Sequence, residues 1–237
     1  MPWCRKGDGE GSCYKLTLVL FLSIMKQFIG KVFILVTLSA CTHQFYRSSP
    51  SVEKKTVLNK ILRDLPFFPV NGERFRLSEL KDKKAIVIVM RERDCPISEK
   101  YSPRLLKLEE KYSKQGVQFI YNYVGQLKPL ENGKKDLKTH GFKSPYVIDS
   151  NQKIISALGA KTTGDVFILN TDRRIIYRGP LDDQFHLLRS ALKPRNHYVS
   201  DILDALLAGT TVEPKELPAP GCVISRPVLK KKSFLKM

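Results

Sequence analysis

Acidic residues are scarce in this sequence of 237 residues: 23 Asp and Glu stand against 41 Lys and Arg, which gives a formal net charge of +18. Such an excess indicates an anionic partner, either nucleic acid or a lipid surface. No helix-turn-helix, zinc-finger or stacked-aromatic signature accompanies the charge, which argues against nucleic acid. An anionic membrane surface is therefore the expected partner, and a merely solvated basic surface is the alternative.

The apolar run at residues 32–38 is too short for a membrane-spanning helix, which needs about 20 apolar residues. It follows the basic residues Lys26 and Lys31 and precedes small residues that end at Cys41. This order is typical of a signal peptide that begins at Met25.

The end of this segment, Leu38-Ser39-Ala40-Cys41, resembles the lipobox of bacterial lipoproteins. The resemblance implies that the Cys41 thiol receives diacylglycerol and becomes the new N-terminus after cleavage. We therefore expect a lipid-anchored protein of the cell envelope that faces the periplasm or the exterior. Residues 1–24 are then a mis-assigned upstream extension, residues 25–41 the signal peptide and residues 42–57 a polar tether.

A transmembrane anchor over residues 16–38 is the competing interpretation. It would place Lys26, Gln27 and Lys31 inside the membrane, where charge is costly. The signal-peptide interpretation avoids this cost.

Histidine is also rare, with four residues in the chain. His140, His186 and His197 are scattered and lack the spacing of metal ligands. We therefore predict neither a metal site nor a cofactor. The composition, with 42% hydrophobic and 27% charged residues, predicts one ordinary globular domain.

From residue 58 onward, strand and helix patterns alternate. The unbroken apolar run at residues 85–90 predicts a central strand covered on both faces. Asn71-Gly72 predicts the tight turn of a hairpin. Further strands are predicted at 117–124, 145–148, 166–169 and 175–177, and helices after Pro96, at 130–140, at 153–158 and before Gly209. The pattern predicts an α/β three-layer sandwich with a mixed central sheet over residues 58–212, followed by a basic, Pro-containing tail over residues 213–237.

Several segments then carry a family resemblance. The strand that leads into Cys95-Pro96-Ile97-Ser98, a later Tyr-Arg-Gly-x-x-Asp-Asp segment at residues 177–183 and the late Gly221-Cys222 resemble the redoxin branch of the thioredoxin superfamily. The resemblance covers about residues 66–209 and implies a thioredoxin-like fold. It also implies a substrate groove at Pro96, Thr163 and Gly164.

The sequence departs from the family at two positions. Ser98 stands where dithiol oxidoreductases have their second cysteine, and Gly164 stands where the family has a cis-proline. The peroxiredoxin signature is absent, since Ile88 and Glu92 occupy its diagnostic positions. The copper-delivering branch is disfavoured because Glu99 replaces its second cysteine.

Cys95 is the expected reactive thiol, because a helix N-terminus stabilises a thiolate and Arg91 and Arg93 would assist if they face it. Cys222 is its candidate resolving thiol, since Cys4 and Cys13 would be removed and Cys41 lipidated. The pair could be catalytic, statically bonded or unbonded.

Two neighbouring features allow alternative roles. Ser98 either binds the thiolate or is solvated on its helix. Asp182 and Asp183 either bind a cation or cap the following segment.

Two functions are compatible with these residues. The first is thiol-disulfide exchange with exported protein thiols or disulfides, in which Cys95, Ser98 and Cys222 form the catalytic site. The second is a non-catalytic thioredoxin-fold binding or assembly module on the membrane surface. The retained cysteines favour the first, while Ser98 and Gly164 favour the second.

Overall fold

The computed structural model describes residues 56–185 and 191–225. The predicted signal peptide, Cys41 and most of the tether lie outside these residues, as does His186. Within the described ranges, no helix has the length and apolar character needed to cross a membrane.

Eight strands, four α-helices and one short 3-10 helix make up the described domain. The strands are β1 Pro66–Phe67, β2 Phe75–Arg76, β3 Ala85–Arg91, β4 Val117–Tyr123, β5 Tyr146–Ile148, β6 Val166–Leu169, β7 Ile175–Gly179 and β8 Lys215–Glu216. The helices are α1 Pro96–Ser113, α2 Pro129–His140, α3 Lys153–Leu158 and α4 Tyr198–Leu207, with the 3-10 helix at Leu77–Leu80.

Six of the strands form one mixed sheet in the order β5-β4-β3-β6-β7-β8. Strands β3, β4 and β5 are parallel, β6 is antiparallel to both β3 and β7, and β8 is parallel to β7. All seven residues of β3 are buried, because apolar side chains cover both faces of the sheet. The predicted sandwich with a mixed central sheet is therefore confirmed.

The first hairpin differs from its prediction. Strands β1 and β2 pair as expected, but residues 68–74 form a long loop between them instead of a two-residue turn at Asn71-Gly72. The Asn71 side chain donates to the Ser144 carbonyl at 3.0 Å and accepts from the Tyr146 amide at 2.8 Å. Asn71 thus ties this loop to the start of β5, a long-range contact that the local turn pattern does not contain.

The chain beyond residue 212, interpreted from the sequence as a tail, continues along the domain. Lys215–Glu216 forms the edge strand β8, and Val223 pairs with Thr162 in an isolated antiparallel bridge. Ile224 is buried within one of the two apolar clusters. These contacts carry Cys222 back to the end of the sheet where β3 terminates.

Candidate active site

Cys95 lies where the central strand passes into the longest helix. Strand β3 ends at Arg91, and Cys95 is the N-cap residue of α1, with Pro96 at the start of the helix. The main chain of Ser98, in the first turn of the helix, makes a hydrogen bond to the thiol. Cys95 is 1% exposed. Sequence reasoning placed Cys95 correctly at the beginning of this helix.

Thr163 joins the two cysteines of the described domain. Its Oγ1 lies 2.9 Å from the Cys95 Sγ and accepts a hydrogen bond of 2.9 Å from the Cys222 amide. The Thr163 amide in turn donates to the Cys222 carbonyl at 3.0 Å. One residue therefore holds the reactive thiol and the late cysteine at the same place, although Cys222 follows Cys95 by more than half of the chain.

The Cys95 thiol is the more acidic of the two. Burial by itself raises its pKa, but hydrogen bonds from Thr163, the Ser98 main chain and Cys222 outweigh burial, so the pKa lies below its ordinary value. Both cysteines are present as free thiols. Cys95 therefore has the greater thiolate fraction at neutral pH.

The Cys222 thiol is shifted in the opposite direction. Burial, the hydrogen bond and charge of Cys95, and the charge of Glu92 raise the pKa of Cys222 to about 11. Burial and the neighbouring Asp94 also raise the pKa of Glu92. Because of this raised pKa, Cys222 carries its proton at neutral pH. Its side chain is exposed and therefore accessible.

The loop that presents Thr163 is organised by a buried carboxylate. Asp165 accepts hydrogen bonds from the Lys161 and Thr162 amides at 2.6 and 3.1 Å. Arg178 pairs with the same carboxylate at 3.1 Å and also reaches Glu216 on β8 at 3.1 Å. Asp165 was not among the residues predicted to form the site, although it holds the loop that carries Thr163. Its position next to Gly164, with an arginine in the paired strand, is the signal that could have found it.

A close backbone approach explains the glycine at position 164. A Cβ atom added there would lie 1.9 Å from the Pro220 carbonyl oxygen. Gly221 has φ +129°, and a Cβ on it would lie 2.7 Å from both the Gly164 amide and Thr163 Oγ1. Residues 220–222 thus cover the Thr163 and Gly164 side of the predicted groove, while Pro96 is exposed. The described residues contain no cis peptide bond.

Ser98 has a role that the sequence did not predict. It is 1% exposed, so it is not solvated on the helix surface. Its hydroxyl accepts a hydrogen bond of 3.2 Å from the Glu92 amide, whereas its main chain lowers the pKa of Cys95. The Ser98 side chain thus fixes the turn between β3 and α1.

Arg91 and Arg93 are directed to α2 instead of serving the thiolate. Arg91 is fully buried and binds both carboxylate oxygens of Asp136, at 3.0 and 3.1 Å. It also donates to the Ser98 carbonyl at 3.1 Å. Arg93 donates to the Asn132 side chain at 3.2 Å. These contacts attach the first turn of α1 to α2.

The two adjacent acidic residues stabilise local structure. Asp182 pairs with Arg104 at 2.6 Å and accepts from the Gln184 amide at 3.0 Å. Asp183 accepts from the amides of Arg195 and Asn196 at 2.7 and 3.0 Å. The geometry favours capping over cation binding for both side chains.

One cluster among the described residues could offer ligands to a metal ion. Glu99, Asp136 and His140 place one ligand atom each within 4.8 Å of one another. Both oxygens of Asp136 already bind Arg91, and the Tyr146 hydroxyl donates to one of them. A cation would have to compete with a buried guanidinium, which makes this cluster a poor metal site.

Comparisons with known proteins agree with the fold. An uncharacterised conserved protein from Geobacillus kaustophilus has a TM-score of 0.65 and 29% identity, with 72% of this chain and 93% of that chain covered. A hypothetical protein from Sinorhizobium meliloti 1021 has a TM-score of 0.61 and 27% identity, with coverage of 70% and 93%. A protein provisionally described as the thiol:disulfide interchange protein DsbE from Chlorobium tepidum has a TM-score of 0.51 and 12% identity, with coverage of 63% and 97%, and supports the fold alone.

No curated protein matches the sequence. The Redoxin family matches residues 50–192, which is more than half of the chain and includes Cys95, Ser98, Thr163 and Gly164. The predicted family resemblance is therefore confirmed, and the chain belongs to the Redoxin family.

Proposed function

We propose that this redoxin carries out thiol-disulfide exchange, with Cys95 as the attacking thiolate and Cys222 as the resolving thiol. The observation that carries the proposal is the Thr163 bridge, which holds the Cys95 thiol and the Cys222 main chain within 2.9 Å of one hydroxyl oxygen. An exchange protein with one cysteine on the helix needs a second thiol elsewhere, and Cys222 supplies it.

The reaction proceeds in two balanced steps. The Cys95 thiolate attacks one sulfur of a substrate disulfide, which forms a mixed disulfide and releases the other sulfur as a thiolate. Cys222 then gives its proton to the substrate thiolate released in the first step and attacks the Cys95 sulfur, which releases the second substrate thiolate. The two thiols of Cys95 and Cys222 have then given two electrons to the substrate and form a disulfide. An external dithiol reductant regenerates the thiols.

The opposite pKa shifts suit this order of events. The low pKa of Cys95 supplies a nucleophile at neutral pH, whereas Cys222, with a pKa of about 11, stays protonated beside it. Once Cys95 is in a mixed disulfide it carries no negative charge, so its contribution to the high pKa of Cys222 disappears. Formation of the mixed disulfide thus activates the resolving thiol.

The stoichiometry of the reaction with the aromatic disulfide dithiobis(nitrobenzoate) tests both thiols. In a chain with Cys4, Cys13 and Cys41 replaced by Ser, we expect release of two thionitrobenzoate equivalents and an internal disulfide. Cys222→Ser should release one equivalent and keep the adduct on Cys95. Cys95→Ser, the matched control, should react slowly at neutral pH.

Two results would contradict the proposal. One is a stable adduct on each cysteine without an internal bond, and the other is a Cys95 that stays unreactive in every variant. The second result would favour the non-catalytic binding module.

We further propose that the protein is tethered to a membrane through Cys41, with its basic surface next to anionic lipid. The layout of residues 25–41 and the net charge of +18 support this proposal. Metabolic labelling with a radioactive fatty acid should mark the wild-type protein, whereas Cys41→Ser should remain unlabelled and unprocessed. Cys222→Ser is the matched control and should keep its label. Equal membrane attachment of the Cys41→Ser protein would instead support a transmembrane anchor.

A further inference from the structure

Residues 219–224 lie along the loop at residues 161–163 in the manner of an added strand. Val223 pairs antiparallel with Thr162, and the Ile224 amide donates to the Lys161 carbonyl at 2.9 Å. Together with the hydrogen bond from the Thr163 amide to the Cys222 carbonyl, these contacts form a short main-chain ladder, and the Cys222 amide adds a hydrogen bond to the Thr163 hydroxyl. The ladder is the way in which an extended polypeptide binds to a free strand edge.

This segment occupies the polar groups nearest to the reactive thiol. The Thr163 amide and hydroxyl both bind Cys222, and the Cys95 side chain is left 1% exposed. A foreign polypeptide that approached Cys95 along this loop would need the same amide, because a backbone N–H donates to one acceptor at a time. The site as it stands therefore has its polypeptide-binding edge filled by the protein's own chain.

We propose that residues 219–224 are a tethered competitor for the polypeptide-binding edge at Thr162 and Thr163. The substrate is an extended polypeptide segment that contains a disulfide-bonded cysteine, and it reaches Cys95 by displacing residues 219–224. Return of the segment brings Cys222 to the mixed disulfide and removes the substrate from Thr163 in the same movement. This inference rests on the proposed function in one respect, namely that Cys95 is the thiol that forms the mixed disulfide with the substrate.

The contacts of the segment are suited to reversible release. Its main-chain groups make two hydrogen bonds to the main chain of the loop and two to the hydroxyls of Thr162 and Thr163. Cys222 and Val223 are exposed, whereas Ala219, Pro220 and Ile224 are buried. A substrate polypeptide can replace the same hydrogen bonds one for one, so displacement does not leave the Thr163 groups unpaired. The side chain of Ile224 is buried in an apolar cluster, so it must leave that cluster when the segment is displaced, and its reburial favours the return of the segment.

Hydrogen exchange of the full-length protein tests the displacement directly. In the Cys222→Ser protein, Cys95 is linked by a disulfide either to a ten-residue peptide with a central cysteine or to a single cysteine amino acid. We expect loss of protection at the backbone amides of positions 222 and 224 with the peptide, while the Thr163 amide stays protected by its new partner. The adduct with the single amino acid should retain the protection of all three amides.

Equal protection at position 224 in both adducts would overturn the proposal, since the segment would then remain in place beside a bound polypeptide. Loss of protection in both adducts would also overturn it, since any adduct would then expel the segment. Neither result depends on formation of a Cys95–Cys222 disulfide, so failure of the proposed chemistry remains distinguishable.

A glycine variant provides a second measurement. Gly164→Ala places a Cβ against the Pro220 carbonyl and should push the segment away, which raises the alkylation rate of Cys95 by a bulky polymer-linked maleimide relative to N-ethylmaleimide. Gly72→Ala is the control, because its Cβ would be 3.9 Å from the nearest atom outside the adjoining residues. An unchanged ratio of the two rates in Gly164→Ala would contradict the proposed cover.

Discussion

The two sides of Cys95 are built from different interactions. On the α2 side, Arg91 and Asp136 form a fully buried ion pair, with Tyr146 on the same carboxylate and the Phe142 ring 4.5 Å from the guanidinium carbon. On the other side, Thr163 meets Cys222 through its own main-chain amide and its hydroxyl. The first side is a closed ionic cluster, whereas the second is a ladder of exchangeable hydrogen bonds.

This difference separates stability from chemistry. A buried ion pair is costly to open, because each charge would be left without a partner in a medium of low dielectric. Main-chain hydrogen bonds contribute only about 1 kcal/mol each and can be replaced by another polypeptide. The ionic cluster therefore fixes the helix that carries Cys95, and the ladder is the side on which partners can change.

The largest effect is expected when the ionic cluster is broken. Asp136→Asn leaves the Arg91 charge buried without a counter-ion and should lower the free energy of unfolding by about 3–5 kcal/mol. Denaturant unfolding measures this loss. Glu131→Gln on the same helix is the control, because its pair with Lys135 is exposed and should contribute little to stability. Similar losses in both variants would show that the buried ion pair contributes no more to stability than an exposed one.

A smaller effect is expected at Thr163. Thr163→Val keeps the shape of the side chain but removes the hydroxyl, so the Cys95 pKa should rise and stability should fall by about 1–3 kcal/mol. Absorbance of the thiolate at different pH values measures the pKa, and calorimetry measures stability. Thr163→Ser should restore the low pKa. An unchanged Cys95 pKa in the Thr163→Val protein would show that the Thr163 hydroxyl does not lower this pKa.

The pH dependence of alkylation compares the two thiols without large structural change. In the reduced protein, the iodoacetamide reaction of Cys95 should rise to its plateau with a midpoint below that of an ordinary cysteine thiol, since hydrogen bonds lower its folded pKa. The reaction of Cys222 should rise only near its pKa of about 11. Mass spectrometry of each labelled cysteine separates the two profiles. Coincident midpoints would contradict the assignment of attacking and resolving roles.

The smallest effect is expected for the ion pair between Arg178 and Glu216. Glu216 is partly exposed, so Glu216→Gln should cost less than about 1 kcal/mol, and the cost should fall further at high salt. Thermal unfolding at two salt concentrations measures it. A loss of stability as large as that of Asp136→Asn would show that β8 is held by a buried charge instead of by its main-chain pairing with β7.

The sequence was sufficient for the parts of the fold that depend on local patterns. The unbroken apolar run predicts β3, and the local sequence pattern gives the bounds of α3. Pro96 marks the start of α1. The placement of Cys95 at a helix N-terminus follows from Pro96 and the helical spacing after it, whereas the naming of Thr163 and Gly164 follows from the family resemblance. These residues do lie together in the structure.

The remaining features depend on contacts between distant segments. The sequence left open whether Arg91 faces the thiolate; its partner Asp136 lies on another helix, and no local rule connects the two residues. Strand β8 has two residues, which is too short to show a period. The ladder that brings Cys222 to Thr163 is formed by backbone groups, which every sequence possesses, so its register could not be predicted.

The position of β8 and Cys222 near the end of the chain has a consequence for biosynthesis. Polypeptides emerge from the ribosome N-terminus first, so Cys95 and the loop at Thr163 exist before the residues that cover them. A nascent chain that ends before residue 213 therefore lacks the residues that cover Thr163, and its Cys95 lacks the Cys222 hydrogen bonds that contribute to its low pKa. Labelling by a bulky thiol reagent would then mark unfinished chains in preference to finished ones, which makes Cys95 a reporter of whether the polypeptide is complete.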